Sequence, residues 1–103
     1  MAKKAQEFKE LSSELFEKAR DTKGRKELLD YYLFLFSGYE KKIISSKELA
    51  SRIAGALSLD FLEDYTDLNA LALEAGELEL PDPHITGDPV ERFNRFVTKL
   101  KNL

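Results

Sequence analysis

Asp60, Glu63, Asp64 and Asp67 stand at i, i+3, i+4 and i+7, so on a helix the four carboxylates would share one ridge. Such a ridge can do two kinds of chemistry. Its oxygens can hold a hard cation such as Mg2+, or it can present a negative rail to a basic protein or peptide. The apolar residues of the same segment project to the opposite side of a helix, which leaves the ridge to solvent and favours the rail. These four are therefore the candidate partner-binding residues. His84 is the single histidine, placed in PDPHITGD between Asp82 and Asp88. Imidazole suits proton transfer or metal ligation, but no Ser or Cys nucleophile stands in a motif beside it, so no catalytic residue is assigned. With no cysteine in the chain, disulfides, thiol nucleophiles and Cys-based zinc sites are excluded, and the residue pattern requires neither cofactor nor metal.

The carboxylates belong to a larger asymmetry. Residues 53–91 carry ten acids and no Lys or Arg, whereas residues 1–52 hold twelve bases against nine acids and residues 92–103 hold four bases and no acid. A net charge of -3 thus conceals a strongly divided chain, able to attract a charged partner or a second copy of itself. At 103 residues, 43% hydrophobic and 34% charged, the composition is that of one globular domain spanning 1–103. The start MAKKAQEFKE is charged and lacks the apolar core of a signal peptide. The longest apolar run, Tyr31 to Phe36, falls far short of the ~20 residues of a membrane span. A cytoplasmic protein without membrane contact is expected.

Hydrophobic spacing predicts an all-α fold, a compact bundle of four to five helices over roughly 5–20, 25–44, 46–57, 59–75 and 89–102. In the first, Phe8, Leu11, Leu15, Phe16 and Ala19 form a stripe opposite Glu7, Glu10, Glu14 and Glu17. Asp21 to Gly24 breaks it with a short connection suited to antiparallel neighbours. The second helix has an apolar arc, Leu28 to Ile43, covering more than half its circumference, so it must be central or touch another chain. Ser45 and Glu48 have capping-box spacing and start the third, which turns Leu49, Ala50, Ile53 and Leu57 inward. A change of register near Ser58 opens the fourth, with a bend near Thr66. Glu77 to Leu80 reads as a short extended piece and PDPHITGD as a loop. Asp88 suits the N-cap and Pro89 the first position of the last helix, which buries Val90, Phe93, Phe96, Val97, Leu100 and Leu103.

Phe34 lies on the side of Asp30, Ser37 and Lys41, away from the centre of the second helix's apolar arc. An aromatic so placed anchors an interface, through which the apolar second helix could also form a homo-oligomer, and Phe34 joins the four acids as a candidate partner-binding residue. The segment KELASRIAGALSLDFLEDY has the shape of a helix-turn-helix. Its second helix would bring four acids and no base to the phosphates, which excludes duplex binding through it. Arg92, Arg95 and Lys99 form a basic ridge on the last helix, where weak nucleic-acid contact is conceivable, although the helix macrodipole also accounts for bases near its end.

Glu14-x-x-Glu17 followed by Glu27-Leu28-Leu29-Asp30 resembles the all-α nucleotide pyrophosphohydrolases over about twenty residues. The resemblance implies Mg2+ held by Glu14, Glu17, Glu27 and Asp30 against a nucleoside triphosphate. It departs from the family in that only nine residues separate the two motifs and the first pair points away from the apolar stripe. The expected function is non-enzymatic: a small acidic interaction or regulatory module that binds a basic protein or peptide. The Mg-dependent hydrolase is the alternative.

Overall fold

Apolar residues recurring every three or four positions, with few β-branched residues between them, give five α-helices and no strand among the described residues. The computed structural model describes residues 2–79 and 89–103, with side chains over 4–78 and 90–103. The helices are α1 (Ala2–Thr22), α2 (Arg25–Glu40), α3 (Ser46–Ala54), α4 (Thr66–Glu79) and α5 (Pro89–Lys101), with 3-10 turns at Gly55–Ser58 and Leu62–Asp64. The N-cap role of Asp88, the loop around His84 and Leu80 lie outside the described residues. None of the described helices is long and apolar enough to cross a membrane. The chain divides into two compact units, Met1–Leu49 and Ala50–Leu103, the division falling inside α3.

In the first unit α1 and α2 pack antiparallel. Phe16 meets Tyr31 with ring centroids 5.3 Å apart, and Phe8, two turns earlier, stacks on Phe34 at 4.7 Å with 12° between the planes. The buried face of α1 is Phe8, Ser12 and Ala19, rotated slightly from the predicted stripe, and Leu11 is left 49% exposed. Ser12 is accommodated because its hydroxyl donates to the Lys9 carbonyl at 2.9 Å, so no polar atom is orphaned. Gly38 lets the Phe8 ring rest on the α2 backbone, since a Cβ at that position would overlap Phe8 Cε2 and Cζ.

Both helices of this unit end without glycine in the left-handed position. Lys23 (φ 54) closes α1 through its amide to the Ala19 carbonyl at 2.8 Å. Gly24 is extended instead and serves as the α2 N-cap. Lys42 (φ 61) closes α2, with Ile43 N–H donating to the Gly38 carbonyl (2.8 Å) and Lys42 N–H to the Tyr39 carbonyl (3.0 Å). That is the Schellman pattern. It stops α2 at Glu40, four residues before the predicted end at 44.

The N-terminal start of α3 is as predicted, the Ser45 hydroxyl accepting the Glu48 amide at 3.1 Å. Its C-terminal half opens the second unit with Ala50 and Ile53 buried, then tightens into the 3-10 turn Gly55–Ser58. Leu57 is exposed rather than inward. α4 buries Leu68, Leu71, Ala72 and Ala75, a single i, i+3, i+4, i+7 stripe. It continues through Glu77 and Glu79, where an extended piece is predicted; leucine and glutamate are good helix formers, and the turn signal of the prolines begins only afterwards. α5 buries Phe96 and Leu100 completely and leaves Val90 exposed, and it packs on α4.

Candidate interaction surface

The predicted fourth helix, 59–75, does not begin at 59. Leu59 is extended (φ -84, ψ 122), Asp60 and Phe61 form a turn, Leu62–Asp64 is a single 3-10 turn, and Tyr65 (φ -117, ψ 84) breaks the backbone before α4 starts at Thr66. The hydrogen bonds are of the i to i+3 type throughout: Leu62 N–H to Leu59 O (3.2 Å), Asp64 N–H to Phe61 O (3.0 Å), Tyr65 N–H to Leu62 O (2.9 Å). Two physical reasons disfavour an α-helix across this stretch. Asp, Phe and Tyr are mediocre helix formers, and the ridge of like charges at i, i+3, i+4 and i+7 would repel along it by a few tenths of a kcal/mol per pair. The tighter path still buries Leu59 and Leu62 while releasing the charges from a common line.

Asp60, Glu63, Asp64 and Asp67 therefore do not form one helical ridge. Asp60 sits in the turn, Glu63 and Asp64 on the 3-10 turn, and Asp67 in the first turn of α4. All four are solvent-exposed. Asp67 accepts the Leu68 amide at 2.9 Å, and its charge complements the positive end of the α4 macrodipole. No Lys or Arg among the described residues pairs with Asp60, Glu63 or Asp64. Phe61 and Tyr65 stand between the acids, each half-buried, in an edge-to-face pair with centroids 6.0 Å apart at 78°. The signal that could have marked them is an aromatic pair at i and i+4 with an acid on either flank, inside a stretch free of bases.

Phe34 belongs to the first unit. It is half-buried and stacked on Phe8, so the side of α2 away from the apolar arc is occupied by α1. Beside the pair lies a shallow groove of about 170 Å³, with Leu11 and Ile43 on its walls and Lys4 and Lys41 at its edge. That is smaller than the ~300 Å³ at which small-molecule sites begin.

The carboxylates of the pyrophosphohydrolase resemblance do not converge. Glu14, Glu17 and Asp30 are exposed, and no group of three or more potential ligands able to hold a metal ion occurs among the described residues. Glu27, at the third position of α2, folds back over the N-cap Gly24, where its carboxylate occupies the space a Cβ would need. Its charge stands in the first turn of α2, at the positive end of the helix macrodipole.

The basic ridge of α5 has its counterpart on α4. Lys99 Nζ donates to Glu74 Oε2 at 2.9 Å, and Arg92, Arg95 and Lys99 face Glu74 and Glu77 across a groove. The 60–67 acids are not part of that pairing. Comparison of the chain with protein families, curated proteins and solved structures finds no match, so the site is read from its own residues.

Proposed function

We propose that this chain is a non-enzymatic interaction module whose 60–67 turn binds a basic protein or peptide. The observation that carries this reading is the Phe61–Tyr65 pair set among four exposed carboxylates, on a turn whose Leu59 and Leu62 are buried and hold it in place. Aromatic faces attract guanidinium and ammonium groups by about 0.5–1 kcal/mol at exposed sites, and neighbouring acids steer such groups in and fix their register. The turn is short and pinned at both ends, so little ordering entropy opposes docking.

The test is the binding of an arginine- and lysine-rich peptide followed by fluorescence anisotropy across a salt series. Wild-type protein should bind it with an affinity that falls as salt rises. Glu63→Lys, Asp64→Lys and Asp67→Lys combined should abolish binding while the circular dichroism spectrum is retained. Undiminished binding by a folded triple variant would remove the acidic turn as the binding surface.

A further inference from the structure

α4 carries two rows of side chains. Leu68, Leu71, Ala72 and Ala75 are buried, and a second row at the same spacing, including Leu73, Glu74 and Glu77, lines an open groove of about 550 Å³. The opposite wall is the α5 row of Arg92, Arg95 and Lys99 at i, i+3 and i+7. Lys99 is engaged by Glu74 at 2.9 Å, whereas no carboxylate among the described residues pairs with Arg92 or Arg95. Leu73, on the facing helix, is 51% exposed. Thus an apolar contact point and two arginine forks are presented together along one trough.

We propose that this α4–α5 groove is a second docking site, of opposite preference to the 60–67 turn, and that its occupant is an acidic amphipathic helix of another protein. Three features select that occupant. The basic row from Arg92 to Lys99 spans seven residue steps, ~10 Å of helix, which matches about two turns of a partner helix laid alongside. Arginine presents a planar fork to carboxylates, and Arg92 and Arg95 are positioned for acids on one flank of that helix while Leu73 takes an apolar side chain from its buried stripe. The volume falls in the small-molecule range of ~300–1,000 Å³, but a trough between two neighbouring helices does not enclose a ligand on the sides that such sites cover. A nucleic-acid backbone is disfavoured, because its phosphates run as a continuous rail that would also meet Glu74 and Glu77, whereas a helix can confine its acids to the one flank that faces Arg92 and Arg95.

The experiment uses the full chain and two synthetic helices, one with leucines on one face and glutamates on its flanks, the other with those glutamates replaced by lysine. Binding is read by anisotropy, with circular dichroism as the check on folding. The glutamate helix should bind, and the combined change Arg92→Glu and Arg95→Glu should weaken it at least about tenfold. The same variant should gain affinity for the lysine helix, a rescue that unfolding could not produce. Leu73→Ser should weaken the glutamate helix with little change in salt dependence. Equal binding by the wild type and the double variant would overturn the proposal. So would displacement of the glutamate helix by duplex DNA at equal charge concentration. Salt-sensitive self-association in the ultracentrifuge that the double variant abolishes would also overturn it, by identifying the occupant as a second copy of the chain.

Discussion

A few single positions determine how the helices of the first unit meet and end. At Gly38 two effects oppose each other. Alanine is favoured over glycine in a helix interior by ~1 kcal/mol, but its Cβ would enter the space of the Phe8 ring, and overpacking of this kind costs ~1–3 kcal/mol. Because Phe8 is also stacked on Phe34, its ring has little freedom to retreat. Gly38→Ala should therefore lower stability by about 1 kcal/mol, read as a reduced denaturation midpoint. Combining it with Phe8→Leu should return less than the sum of the two losses, since the shorter side chain removes the clash. Lys42 shows the converse. A side chain at φ 61 costs ~1–2 kcal/mol relative to an unstrained backbone, so Lys42→Gly should raise stability by about 1 kcal/mol, read as a higher midpoint, without altering the fold.

Among the elements, the Ser45 cap was readable and the interruption at 59–65 was not. The Ser45 hydroxyl on the Glu48 amide is the start of α3, and Ser45→Ala should cost about 1 kcal/mol in an equilibrium unfolding measurement. Cap chemistry is local, so residue types alone reveal it. The 59–65 segment is different, because its apolar spacing fits an α-helix almost as well as the 3-10 turn it adopts. What separates the two is the summed cost of poor propensity and like-charge repulsion against the burial of Leu59 and Leu62, which either path achieves in part. The end of α2 was hidden for a related reason: a lysine occupies the position where glycine would have announced the stop.

For the molecule as a whole, charge segregation is the property with functional consequences. Reversing Glu63 and Asp64 to lysine should change stability by no more than about 0.5 kcal/mol, because exposed substitutions away from caps and cores rarely do more, whereas the same change at Asp67 removes an acceptor at a helix start and should cost more. Asp67 is the residue to watch, as its carboxylate accepts the Leu68 amide at the start of α4. Asp67→Asn, which keeps the acceptor, should restore any stability that the lysine loses. By contrast Glu74→Lys should be felt in the fold, since it removes the 2.9 Å bond to Lys99 and sets four cations along one groove. A lowered thermal midpoint that recovers in part at high salt, as the repulsion is screened, is the expected result.

The order of the residues by itself determined the all-α class, a range of four to five helices that includes the five observed, the Ser45 cap, and the existence of an acidic centre between basic flanks. Periodicity, propensity and net charge are sums over neighbours in the chain, and no tertiary contact is needed to evaluate them. Tertiary structure decided which apolar residues face inward, exposing Leu11, Leu57 and Val90 and burying Ser12. It decided too that Phe34 stacks on Phe8, that the Glu27 carboxylate lies over Gly24 at the start of α2, and that Lys99 of α5 pairs with Glu74. Each of these depends on which element lies across from a given face. That is fixed by packing between residues remote in sequence, and helical spacing states only that a face exists, not what will cover it.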